Sequence, residues 1–113
     1  MHQVIVTPRF HKEAKKITRK YPGFKTDIAK LIDSLSKNPE QGKHIGEGIY
    51  KLRIAITGKT SGKSYGARVI HAIVSVKQEV YLFSVYDKSD KKDISPHEFK
   101  GLIETVKSIK NLK

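Results

Sequence analysis

The chain has no cysteine, so it can form neither a disulfide nor a thiolate metal site. Its N-terminus lacks the apolar run of a secretory signal, and nowhere is an apolar run long enough to span a bilayer. The expectation is a soluble, cytoplasmic protein with no membrane contact. A third absence is local. Between Gly48 and Gln78 there is no Asp or Glu, although the stretch carries Lys51, Arg53, Lys59, Lys63, Arg68 and Lys77. Such a surface lacks its own counterions, and strands would present its cations at a fixed two-residue alternation. A polyanion such as RNA is the natural partner.

With 113 residues, 37% of them apolar, the chain is expected to fold as one domain over residues 1–113. The 23 Lys and Arg against 11 Asp and Glu give a formal charge of +12, which favours nucleic acid or an acidic protein over a neutral ligand.

Residues 3–6 predict a short strand, and Thr7-Pro8 supplies an N-cap followed by Pro at the first helical position. Phe10, Ala14, Ile17 and Tyr21 recur at helical spacing until Pro22-Gly23; Phe24, Ile28, Leu31, Ile32 and Leu35 restart the pattern, which should stop near Asn38-Pro39. These elements predict a helical hairpin, followed by a loop over residues 40–48, where Gly42, Gly46 and Gly48 fall. Tyr50, Leu52, Ile54 and Ile56 then alternate with Lys51, Arg53 and Ala55, so one strand would bury the first set and place both cations on its other face. A Gly/Lys/Ser loop over 58–66 leads to β-rich runs at 67–76 and 80–86, which predicts a three-strand antiparallel meander. Ser95-Pro96-His97-Glu98 reads as a capping box for a terminal helix whose apolar face is Phe99, Leu102, Ile103, Val106 and Ile109. The expected class is α+β: an N-terminal strand and helical hairpin packed on a small, mainly antiparallel twisted sheet, with a C-terminal helix.

Some apparent motifs carry no chemistry. The run from Thr57 to Ser64 ends like a phosphate-binding loop but has Thr57 where that motif needs Gly or Ala, and it leads into a strand instead of a helix. His2, His11, His44, His71 and His97 include no pair at the usual short metal-ligand spacing, and no Gly-x-Ser-x-Gly elbow occurs. His71, on a strand, is a candidate semi-buried donor.

The cationic sheet survives this pruning. Its blocks Tyr50-Lys51-Leu52-Arg53, Gly58-Lys59 with Gly62-Lys63, Gly66-Ala67-Arg68-Val69-Ile70 and Tyr81-Leu82-Phe83-Ser84-Val85-Tyr86-Asp87-Lys88 resemble the RelE/ParE superfamily of bacterial toxins. The HigB-like branch is the nearest in look, and the element order is also the superfamily's. The resemblance implies a type II toxin that enters the ribosomal A site and cuts mRNA during translation, held inactive by a cognate antitoxin. It also implies an oligomeric state set by the antitoxin complex. Members of this type use no metal or other cofactor; the RNA's own 2′-hydroxyl attacks the adjacent phosphate. That reaction needs a base for the hydroxyl, cations for the phosphorane, and an acid for the leaving oxygen.

By that resemblance Lys51 and Arg53 match the two cations of the family's first central strand, Arg68 the Arg of its second, and Lys88 a basic residue after the last strand. Lys51 is then the candidate base, which needs neighbouring cations to favour loss of its proton, Arg53 and Arg68 are candidate phosphate clamps, and Lys88 assists at the phosphate or leaving group. Lys59 and Lys63 are candidate RNA-backbone contacts. Some relatives place a base-stacking Tyr after the last strand, whereas residues 92–95 contain none. Tyr65 and Tyr86 are candidates to stack on a base, and equally suit half-buried strand positions. The general acid is unassigned. Two other readings of the same pattern stay open: a ParE-like protein that inhibits DNA gyrase by binding, and a degenerate member that only binds its antitoxin or nucleic acid.

Overall fold

Thr7 opens the first helix as its place before Pro8 predicts: its hydroxyl accepts from the Phe10 N–H at 3.3 Å and donates to the Leu82 carbonyl at 2.7 Å, which ties the helix start to the sheet. The computed structural model describes residues 1–60 and 66–112. Along these run β1 (Gln3–Val6), α1 (Pro8–Lys20), α2 (Phe24–Lys37), β2 (Lys43–Gly46), β3 (Ile49–Ile54), β4 (Ala67–Val74), β5 (Glu79–Asp87) and α3 (Pro96–Lys110). No helix among the described residues is long and apolar enough to cross a membrane.

The strands form one five-stranded sheet in the order β1-β5-β4-β3-β2. β3, β4 and β5 make the expected antiparallel meander, β1 adds parallel to β5, and β2 adds antiparallel to β3. The sheet is therefore wider than predicted, because residues 43–46 form an edge strand inside the stretch expected to be a loop. Its glycines have other roles. Gly46 and Gly48, with φ of 122° and 74°, turn the chain from β2 into β3. At Gly42, with φ of 91°, a Cβ would sit only 2.5 Å from the Lys51 carbonyl oxygen, so the glycine permits a close approach of backbones. The strand expected over 67–76 ends at Val74, where Ser75–Lys77 tighten into a 3₁₀ turn and Gln78 takes φ of 52° before β5.

Both sheet faces are packed. On one, Phe10, Ile17, Phe24, Leu31 and Leu35 of the helical hairpin meet Val69, Val80, Leu82 and Val85, with Leu52 and Ile54 at the margin. On the other, Leu102 and Val106 of α3 cover Ile49, Ile70, Ala72 and Phe83. Coverage from two sides leaves every residue of β4 buried. The second face is thus not the open one that the alternation of β3 suggests. Beyond Ile49 the same face of β3 carries Lys51 and Arg53.

Candidate phosphate-binding site

Register brings the sequence candidates together. Arg53 pairs with Arg68 across β3 and β4, and Arg68 pairs with Tyr86 across β4 and β5. Directly opposed residues share a face, so Arg53, Arg68 and Tyr86 form one transverse row. Lys51 lies two residues before Arg53, on the same face, opposite Ile70 on one side and Lys43 of β2 on the other. Arg53 is exposed, whereas Arg68 is only 5% exposed and is held among neighbouring groups.

The row is bordered by the segment that joins β5 to α3. The Lys51 ammonium lies 3.2 and 3.3 Å from the two carboxylate oxygens of Asp93. Asp93 also accepts from the Ile94 N–H at 2.8 Å and from the Tyr86 hydroxyl at 3.4 Å. Burial works to raise the Asp93 carboxyl, but the Ile94 N–H and the Lys51 ammonium outweigh it and hold the group below the usual carboxylate range. Tyr86 is pushed up to about 12, by burial first and then by the Asp93 charge, so its phenol keeps its proton. The Lys91 ammonium sits 5.4 Å from the centre of the Tyr86 ring. One ring thus packs in the second core, donates to Asp93 and carries a cation on its face.

Lys59 is placed differently from the row. Its ammonium is 2.6 Å from Asp87 and 2.8 Å from the Ser89 hydroxyl, with side chains only 10% and 5% exposed for Lys59 and Asp87. Burial works to raise Asp87, but Lys59 and Ser89 outweigh it and hold the carboxyl low. Close by, Asp27 of α2 accepts from the Thr57 N–H at 2.8 Å and its hydroxyl at 2.6 Å. Both contacts fix the chain as it leaves β3. Lys88 follows β5 immediately; its backbone N–H bonds the Gly66 carbonyl and its ammonium donates to the Lys92 carbonyl at 2.7 Å. Lys63 and Tyr65 lie outside the described residues.

Sequence reasoning missed the acids. Asp87, Asp93 and Glu98 partner Lys59, Lys51 and Lys91, and Glu98 also holds Arg9 of α1 at 2.7 Å. The available signal was the absence already noted: where a run of cations contains no acid, an acid-rich segment further along, here residues 87–98 with Asp87, Asp90, Asp93 and Glu98, is where counterions should be sought.

Chemically, the arrangement offers guanidinium groups at adjoining strand positions, an ammonium in an ion pair, and a protonated phenol. Arg forks suit the paired oxygens of a phosphate. A family model described as the RelE toxin of the RelE/RelB toxin–antitoxin system matches residues 3–113. Among solved structures, the isolated Escherichia coli RelE toxin superposes with a TM-score of 0.59 at 15% identity, covering 93% of this chain and 99% of that one. A variant of E. coli RelE with two arginines changed to alanine, in the free state, gives 0.58 at 16% identity, over 80% of this chain and 87% of that one. At these identities the superpositions speak for the fold.

Proposed function

Because this chain belongs to the RelE family of toxins, the toxin components of toxin–antitoxin systems, we propose that it is a ribosome-dependent mRNA endonuclease, inhibited by its cognate antitoxin. The observation that carries the reading is the Arg53–Arg68 cross-strand pair with Lys51 on the same face. Directly opposed residues project from one face of a sheet a few ångströms apart, so the two guanidinium groups can converge on a single ligand. An anion over the row can be held by both planar forks. RNA phosphate is such an anion, and a cation cluster centred on one phosphate is something a gyrase-binding protein does not need.

In this mechanism the RNA 2′-oxygen attacks the adjacent phosphorus and the bond to the 5′-oxygen breaks, leaving a 2′,3′-cyclic phosphate and a 5′-hydroxyl. Arg53 and Arg68 hold the non-bridging oxygens and stabilise the charge of the phosphorane. Lys51, flanked by Lys43 and Arg53, takes the 2′-hydroxyl proton once its ion pair with Asp93 has opened and it has given up its own proton. Lys88, just past β5, assists at the phosphate or the leaving oxygen. Metal is not required, since the cations are the protein's own.

The test is primer extension on one reporter mRNA after brief induction, comparing a translatable copy with one whose start codon is destroyed. The expected result is new 5′ ends in the translated copy alone, absent with the Lys51→Ala/Arg53→Ala protein. Cuts in both copies would point to a free ribonuclease. Growth arrest without cuts would replace this reading by the gyrase-binding one.

A further inference from the structure

The ion pair at Lys51 places an anion where the substrate's anion is expected. Asp93 presents its carboxylate to the Lys51 ammonium with both oxygens, and one of these oxygens also takes the Tyr86 hydroxyl. Lys51 belongs to the cluster assigned above to phosphate, and Tyr86 ends the row that contains Arg53 and Arg68. The pair is not sealed in the core: the Asp93 side chain is 54% exposed and that of Lys51 28%. An exposed carboxylate exchanges partners readily. The helix behind it is fixed without Asp93, because Glu98 at the start of α3 holds Ser95 through the capping box, together with Arg9 and Lys91.

We propose, resting on the phosphate-site reading, that Asp93 is an internal occupant of that site, which RNA must displace from Lys51 to bind. One consequence is selectivity by number of phosphates. A lone phosphate or mononucleotide meets the tethered carboxylate with only the contacts of the cluster itself to offset it, and gains little. A strand whose neighbouring phosphates also lie on the basic surface brings further contacts to the exchange and displaces it.

The probe is a fluorescently labelled all-2′-deoxy decanucleotide, which has no 2′-hydroxyl and so reports binding without cleavage, read by fluorescence anisotropy. Asp93→Asn removes the charge and keeps an oxygen for the Ile94 N–H and Tyr86 O–H. Removing one carboxylate a few ångströms from a bound phosphate should tighten binding roughly five- to tenfold. Asp33→Asn is the control, an exposed acid paired with Lys37 on α2, which changes the net charge equally at a distant place. It should shift affinity less than about twofold. The gain from Asp93→Asn should also vanish when Lys51 is already Ala.

Equal effects of Asp93→Asn and Asp33→Asn would reduce the result to net charge and overturn the proposal. Weaker binding by Asp93→Asn would overturn it too, making Asp93 a residue that positions Lys51. Either outcome leaves the phosphate site intact if Lys51→Ala and Arg53→Ala each weaken the oligonucleotide. If neither does, the site reading fails, and the proposal with it.

Discussion

Arg53 and Arg68 stand directly opposite each other on β3 and β4, in a register that also sets Arg68 against Tyr86. Arg53 is the exposed member of the pair, so it should be dispensable for folding and needed for function. Arg53→Ala is expected to change stability by no more than about 0.5 kcal/mol, while lowering RNA cleavage by about 10²-fold or more. Urea unfolding and single-turnover cleavage on programmed ribosomes measure the two sides. Arg68→Lys should also be damaging, because an ammonium replaces a planar fork by a point charge. A folded Arg53→Ala protein that cuts at the parental rate would remove the row from the mechanism.

Lys59 gives a contrasting expectation. With both partners nearly enclosed, Lys59→Met leaves the Asp87 carboxylate buried without its cation and should destabilise the fold by about 3–5 kcal/mol. Removing both charges, in Lys59→Met/Asp87→Asn, should recover part of that loss. A side chain that only reached out to RNA would instead weaken binding and leave the urea midpoint unmoved, so the two roles separate in one unfolding series.

The sheet's central strands were legible because β3 alternates and because Lys51 and Arg53 stand out against it. The terminal helix was legible because Ser95 and Glu98 announce a reciprocal cap. β2 was not, since only residues 43–46 lie between glycines whose positive φ and close backbone approach look, as a string of letters, like any loop. Nor does a sequence say that α3 lies over the face bearing Ile49, which decides how much of that face stays open. The candidate site was half visible. Its cations announce themselves by type and spacing, while Asp93 is 42 residues from Lys51 in the chain and meets it only through the path from β5 into α3. Lys59 shows the converse: charge type suggested a surface role, and the buried Asp87 beside it is a matter of tertiary structure.

Glu98 is the fastener of α3. It accepts from Lys91 at 2.8 and 2.9 Å, from Arg9 at 2.7 Å and from the Ser95 N–H at 3.1 Å. The Lys91 contact first, then Ser95 and Arg9, hold its carboxyl at about 2 against partial burial, down from 4.5. The folded group binds its proton less readily than the unfolded one. Its contribution is therefore complete above pH 4.5 and is lost as the pH falls through about 2. Glu98→Gln can keep the reciprocal cap but not the charge, and should cost about 1–2 kcal/mol at neutral pH. That difference from the parent should shrink steadily in unfolding curves taken below pH 4.5. A difference that is constant with pH would mean that Glu98 acts through its shape and not its charge.

His71 sets a second, higher pH window. Its ring is fully buried, stacked at 5.3 Å on Tyr50; Nε2 is 2.9 Å from the Pro39 carbonyl, and Nδ1 has no hydrogen-bond partner among the described residues. Since a carbonyl only accepts, Nε2 carries the proton and Nδ1 is the bare nitrogen. Protonating Nδ1 would bury a charge without a partner, so burial lowers the pKa below 6.5, and the Pro39 contact only partly offsets this. The unfolded chain accepts that proton near pH 6.5 and the folded chain refuses it, so stability is complete above this point and declines as the pH drops through the folded value. The slope from this one residue is at most about 1.4 kcal/mol per pH unit. Urea midpoints compared near pH 7.5 and about 5.5 should fall for the parent and fall less for His71→Gln, whose amide can still donate to Pro39 but does not titrate. The other histidines are common to both proteins and cancel in the comparison. Asp87, Asp93 and Glu98, all held low, stay ionised across this range and contribute only further into acid. Parallel curves for the two proteins would show that the folded structure takes up the proton at His71, and that the bare nitrogen finds a partner when it does.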